Sequence, residues 1–181
     1  RLGYLPQELE SLPGNTILDA THRNQFPDHE AKRILSGLGF QETDWERKID
    51  TLSGGYRMRV ALAHLLLSAP DVLLLDEPTN HLDKPTQRWL ESFLLSSNFT
   101  LLIISHDIGF LDNMVTHIWE VGNHTLQEYR GNYTRFQKLR AERDAQEEAA
   151  ANRQSKEIAR VQNFVDRFRY QANKASQVQS R

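Results

Sequence analysis

The chain has 181 residues, 39% of them hydrophobic and 25% charged, with a formal net charge of −2 at pH 7 and no cysteine. These values fit a globular domain with an extension, and they exclude disulfides and thiolate metal sites. No apolar run approaches a membrane span and no secretory leader pattern opens the sequence, so a cytoplasmic protein is expected. On that expectation the Asn-x-Ser/Thr triplets at Asn98, Asn123 and Asn132 are not read as glycosylation sites.

Taken in chain order, RLGYLPQEL reads as the end of a strand, and residues 11–27 as turns, with Pro13-Gly14 and Pro27. DHEAKRILSGLGF predicts a helix with Ala31, Ile34, Leu35 and Leu38 on one face and Gly39 as its stop. Tyr56–Ser68 predicts a second helix, apolar all round near Leu65–Leu67 and so buried there. VLLLDE (72–77) lacks alternation and fits a strand buried on both faces. Pro85–Ser96 reads as a helix with Trp89, Leu90, Phe93 and Leu94 directed inward, and TLLIISHD (100–107) as a second buried strand. Strand, helix, strand at this length is a βαβ crossover in a parallel sheet. HIWEV and TLQEY flank Gly122-Asn123 as a hairpin. Gly131 is the last glycine and Pro85 the last proline, so one helix is expected from Tyr133 to about Phe168, with a stripe of Ile158, Val161, Val165 and Phe168 suited to a partner helix.

Charge follows the same division. Residues 132–181 hold 11 Lys and Arg against 6 Asp and Glu, and residues 1–131 the remaining 11 against 18. A basic tail on an acidic body points to a polyanionic partner.

Three places carry chemistry. In LSGGYRMRV (52–60), Ser53, Gly54 and Gly55 precede a helix, an arrangement that offers bare backbone N–H groups and a favourable dipole to an anion. No Lys-Ser/Thr pair follows to complete a P-loop. In DEPTNHLD (76–83), Asp76 and Glu77 sit at the carboxyl end of a strand, where open α/β sheets bind ligands. Neighbouring strand residues point to opposite sides, so Asp76 is placed for Mg2+ and Glu77 for orienting and deprotonating a water. Taken alone, the pair reads equally as a cap for the next helix. His106 ends the following strand and is expected beside Glu77, within reach of a terminal phosphate or the attacking water. Gln7, after GYLP, carries an amide oxygen able to coordinate Mg2+.

Together these segments resemble the ATP-binding-cassette (ABC) superfamily. GYLPQ resembles its Q-loop, LSGG its signature, VLLLDEP the strand of the metal ligand and base, NHLD its D-loop and SHD its switch histidine, in the family's order over residues 3–107. The resemblance implies an α/β, P-loop NTPase-like cassette followed by a long helical coiled-coil arm. It also implies ATP and Mg2+ as cofactors, with the nucleotide held between two cassettes. Ser53, Gly54 and Gly55 would then touch the γ-phosphate of ATP bound by a second cassette of the same parent chain, and Asp83 would lie at that interface. GxxxxGK[ST] is absent from the sequence, so residues 1–181 are read as a partial cassette that lacks the P-loop half and is inactive alone.

PTNHLD with His81, and Tyr56 and Met58 after the glycine pair, are similar to the ABC-F branch, as is a long helix placed after the switch histidine. YRGNYTRF (129–136) resembles that branch's inter-cassette linker, and FVDRFRYQANKASQVQSR (164–181) the tip of its arm. The division implied is a partial cassette over 1–131, with a helical subdomain at about 28–69 and core elements at about 70–131, then the arm over 132–181. The family's arm enters the ribosomal E site and reaches P-site tRNA, so ribosome, rRNA and tRNA are the implied partners. Arg160, Arg167, Arg169, Lys174 and Arg181 are candidates for phosphate contacts, and Tyr170 for stacking on a base. The tip reads Gln171-Ala172-Asn173-Lys174-Ala175-Ser176 where the branch often has Lys-Ala-Thr-Lys-Ala-Lys, two positive charges more. The alternative function is the nucleotide-binding subunit of an ABC transporter.

Overall fold

The computed structural model describes residues 1–6, 12–22, 25–122 and 124–179, with side chains described up to residue 165. The chain divides into two compact units, Arg1–Val115 and Thr116–Arg181.

The first unit is built on the VLLLD run. β2 (Val72–Asp76) lies between β1 (Leu2–Leu5) and β3 (Thr100–Ile104), parallel to both, with Leu5 opposite Leu75 and Asp76 opposite Ile104. Side chains alternate along each strand. Leu5, Leu73 and Leu75 therefore enter the core, where all three are buried. The other face carries Leu2, Tyr4, Leu102 and Ile104, all exposed. TLLIISHD is thus not buried on both faces as its composition predicts. β3 is an edge strand among the described residues and ends at Ile104, and its apolar run marks a face that stands open.

Helices cover the closed face. α1 (Ile17–His22) falls in the stretch expected to be turns. Thr16 Oγ1 accepts the Asp19 N–H at 3.2 Å, and Asn15 O accepts the Ile49 N–H at 3.2 Å, so a cap and a distant strap hold six residues that pattern alone does not show. α2 (Asp28–Gly37) buries Ala31, Ile34 and Leu35 as its periodicity predicts. Gly39, at φ 86°, ends it with the left-handed turn that lets Phe40 N–H reach Leu35 O at 3.1 Å. α3 (Gly54–Leu67) buries Leu66 and Leu67 at its end, and α4 (Lys84–Ser96) buries Leu90 and Leu94, with Trp89 and Phe93 half-buried and stacked at 5.2 Å. α5 (Ile108–Met114), not anticipated from the sequence, places Phe110 and Leu111 in the core.

Packing of α2 on α4 depends on one missing methyl. A Cβ on Gly37 would lie 1.9 Å from Trp89 Cε2 and 2.2 Å from Cζ2. Gly37→Ala is therefore expected to displace the Trp89–Phe93 stack and to destabilise the unit by about 1–3 kcal/mol. An unchanged urea midpoint would show that Trp89 swings aside without cost.

In the second unit, β4 (His117–Gly122) and β5 (Thr125–Arg130) form the expected antiparallel hairpin, and α6 runs from Tyr133 to Gln179. α6 passes the predicted end near Phe168 because no glycine or proline interrupts the run. Asn132 Oδ1 accepts the Arg135 N–H at 3.1 Å and opens it. Its first turns grip the hairpin. Phe136 is buried, edge-on to Tyr129 at 5.0 Å. Arg143 Nη1 donates to Glu120 Oε2 at 3.0 Å and also meets Gln127 and the Tyr129 hydroxyl, and Arg140 Nε lies 3.1 Å from Glu120 Oε1. Desolvation pushes the Glu120 carboxyl up, but the hydrogen bonds from Arg143 and Tyr129 and the Arg140 charge leave it below its ordinary range.

Candidate functional site

The end of β2 is where the backbone departs from regular geometry. Glu77 has φ 50° and His81 φ 66°, values that side chains other than glycine seldom adopt. Glu77 keeps its place in the ladder, its N–H donating to Ile104 O at 2.8 Å. Its side chain is 7% exposed. The His106 N–H donates to Glu77 Oε2 at 3.3 Å, and His106 Nε2 lies 3.3 Å from Oε1. That second contact lacks hydrogen-bonding geometry, so Oε1 is a buried oxygen with no hydrogen bond. A carboxylate oxygen is costly to bury unpaired, and this one lies beside an imidazole that is almost wholly in solvent. Asp76, one residue earlier, is half-buried on the sheet's open side.

His106 is held from its other side. Asp107 opens α5 by accepting the Phe110 N–H at 3.1 Å, and its second oxygen takes Gln87 Nε2 at 2.8 Å. The Phe110 amide, the Gln87 side chain and the Lys84 charge hold this carboxyl below its ordinary range. A depressed carboxyl contributes stability above its unfolded pKa of about 3.9 and loses it as pH falls through the lower folded value. At neutral pH the support of His106 is therefore fully present.

The second place is the start of α3. Ser53, exposed, sits at the N-cap position without a side-chain cap hydrogen bond. The first intrahelical bond is Arg57 N–H to Ser53 O, 3.0 Å, so the N–H groups of Gly54, Gly55 and Tyr56 have no helical acceptor. A Cβ on Gly54 would meet nothing within 4 Å. One on Gly55 would lie 3.0 Å from His81 Cβ. The stretch 79–83 thus packs beside the glycine pair. Asp83, exposed, precedes α4, and the Thr86 hydroxyl is the main cause of a carboxyl held below its ordinary range.

The structure therefore brings Glu77 and His106 together, with Asp76 adjacent in sequence, and brings the glycine pair against the turn before Asp83. Gln7 lies outside the described residues. Arg160 is exposed on α6 with Nη1 3.6 Å from Glu157 Oε2. Arg167, Arg169, Tyr170 and Lys174 belong to α6 with side chains outside the description, and Arg181 lies outside the described residues.

Two family models, each described as ABC transporter, match residues 1–80 and 119–181. The probable ATP-binding protein YheS of Escherichia coli is 47% identical over 151 residues, 83% of this chain and 24% of that protein. ATP-binding cassette sub-family F member 3 of Rattus norvegicus is 44% identical over 151 residues, 83% of this chain and 21% of that one. The chain belongs to the ABC-F branch of the ATP-binding-cassette family. A solved dimeric ATP-binding cassette, MJ0796 in a post-hydrolysis state with ADP and Pi, superposes at TM-score 0.61 over 72% of this chain and 62% of its own, at 23% identity, and shares the α/β cassette fold.

This ABC-F chain spans about a quarter of the length of the curated relatives it matches. Its own residues fit nucleotide chemistry at both places. The bare approach to Gly54 leaves room for a phosphate against unpaired amides. No group of three or more His, Asp or Glu that would cage a metal occurs among the described residues. One or two carboxylates with phosphate oxygens are what Mg2+ prefers, and Asp76, half-buried on the sheet's open side, supplies one.

Arg59 and His81 are the residues whose place the sequence did not disclose. Arg59 Nη2 donates to His81 O at 2.6 Å and Nη1 to Leu38 O at 3.3 Å. The only signal was a second arginine on the helix that follows LSGG.

Proposed function

We propose that the chain is part of an ABC-F ATPase in which ATP, bound between two cassettes, controls attachment to the ribosome. The observation that carries this reading is the buried Glu77 carboxylate with one oxygen unbonded and His106 beside it, at the ends of two parallel strands. A carboxylate oxygen so placed is open to accept a hydrogen bond from a water set against it, the arrangement a general base requires. ATP with its Mg2+ supplies the electrophilic phosphorus and the charge neutralisation of phosphoryl transfer.

Each residue then has one task. Glu77 orients the water and takes its proton. His106, exposed and tethered through Asp107, reaches the terminal phosphate. Asp76 and Gln7 hold Mg2+. Ser53, Gly54 and Gly55 meet the phosphates of the nucleotide on the opposite cassette, and Asp83 lines that contact. Residues 1–131 form the cassette portion, in which Leu2, Tyr4, Leu102 and Ile104 are covered by the P-loop half of the parent protein. Residues 132–181 form the arm, whose Arg160, Arg167, Arg169, Lys174 and Arg181 meet tRNA and rRNA phosphates with Tyr170 against a base. Without a P-loop of its own, the 181-residue segment does not hydrolyse ATP alone, and the whole protein works in the cytoplasm.

The test is ribosome pelleting of the full-length protein with ATP at two salt concentrations. Co-sedimentation that weakens as salt rises is expected. A protein that stays in the supernatant under both conditions overturns the reading. The second reading, a transporter's nucleotide-binding subunit, is favoured by the description of the matched family. Among the described residues no helix is long and apolar enough to cross a membrane; on that reading the full-length protein would sediment with vesicles instead.

A further inference from the structure

The two glycines of LSGG are not equivalent. Gly54 has open space where a side chain would begin, whereas a Cβ on Gly55 would stand 3.0 Å from His81 Cβ and 3.2 Å from its Cγ. Contacts that close require a neighbour to give way by a few tenths of an ångström. His81 itself is held at φ 66°, a left-handed conformation that an ordinary residue seldom adopts and that persists only where the surroundings fix it. Arg59, one helical turn beyond Gly55 on α3, reaches its carbonyl. Its Nη2 donates to His81 O at 2.6 Å, its Nη1 to Leu38 O at 3.3 Å at the end of α2, and its guanidinium lies 5.0 Å over the Tyr56 ring. Tyr56 in turn meets Phe40 edge-on at 5.6 Å. Gly39 leaves the room: a Cβ there would lie 3.0 Å from Arg59 Nη1.

The geometry points to a clasp. We propose that Arg59 and His81 lock the Ser53–Gly55 turn and the 79–83 turn into one body, so that the glycine amides and Asp83 reach a nucleotide together. Arg59 is thus a positioning residue for hydrolysis. This deepens the ATPase reading and rests on it for its consequence, though not for the clasp itself. A planar fork suits the task because its two nitrogens reach two carbonyls at once, Leu38 O and His81 O. Lysine, a single point donor, holds only one of them at a time.

The experiment uses the full-length protein in four variants: Arg59→Met, Arg59→Lys, Gly55→Ala and the pair Gly55→Ala/His81→Gly. Two quantities are read, the kcat and KM for ATP, and hydrogen exchange of the Asn80 and Leu82 amides without nucleotide. Those amides close the turn onto Glu77 O and Thr79 O, each at 3.1 Å. Arg59→Met is expected to lower kcat about 10-fold with KM within about twofold, because placement and not nucleotide binding is lost. It should also speed exchange of the two amides about 10-fold while the α3 amides beyond the first turn keep their protection. Arg59→Lys recovers part of both. Gly55→Ala lowers kcat, and adding His81→Gly recovers at least half of the loss, since glycine removes the clashing Cβ and accepts the positive φ freely.

Unchanged exchange and kcat in Arg59→Met overturn the clasp, and so does a double variant no better than Gly55→Ala. Should Arg59→Met fail to fold, the glycine pair still decides. Should the wild-type protein hydrolyse no ATP, the ATPase reading fails, while the exchange data still accept or reject the contact between the two turns.

Discussion

Replacing Glu77 by Gln in the full-length protein is expected to lower steady-state ATP hydrolysis by about 100-fold or more while leaving ATP bound. The substitution keeps shape and keeps an oxygen for the His106 N–H, now 3.3 Å from Oε2. It removes the basicity that a water needs. It also removes a buried charge of which one oxygen has no hydrogen bond, so the thermal midpoint should hold or rise even as turnover collapses. Activity falling while stability does not is the signature of a group kept for chemistry. On ribosomes the same variant should remain attached in the presence of ATP. Turnover assays, nucleotide retention and pelleting check the three parts, and wild-type turnover in Glu77→Gln would remove Glu77 from the reaction.

The second large effect is on folding. Phe110→Ala is expected to destabilise the first unit by about 3–5 kcal/mol, read as a lower denaturant midpoint. Phe110 is fully buried on a helix of only seven residues, too short to persist without its packing. The consequence reaches the site, because α5 starts at Asp107, whose carboxylate caps it through the Phe110 N–H. His106 therefore loses its anchor when Phe110 is cut back. A loss under about 1 kcal/mol would show that α5 does not depend on this side chain for its place.

Where sequence and structure agree, the cause is periodicity or a turn residue acting locally. The α2 stripe, Gly39 as its stop, the crossover between β2 and β3 and the hairpin across 122–125 all follow from patterns a few residues long. Where they part, the cause is distant. Leu102 and Ile104 have the composition of a core strand, yet exposure depends on what lies over the sheet, which no window of β3 contains. α1 is held by the strap from Asn15 to Ile49, more than thirty positions away. The site divides in the same way. That Glu77 and His106 lie side by side was legible because consecutive parallel strands neighbour each other. That Gly55 is bare toward His81, and Gly54 toward open space, required two turns 26 positions apart to be seen in contact.

The unbroken α6 has a mechanical consequence. Forty-seven residues in one helix reach about 70 Å. About 55 Å of it lies beyond the place where Arg140 and Arg143 grip Glu120, so a tilt of about 10° there would carry the far end through about 10 Å, by the length of the rod alone. Such a lever turns a small rocking of the hairpin into a displacement several side chains wide. The stiffness of that charged joint, more than the tip residues, then sets how faithfully motion at one end is delivered to the other.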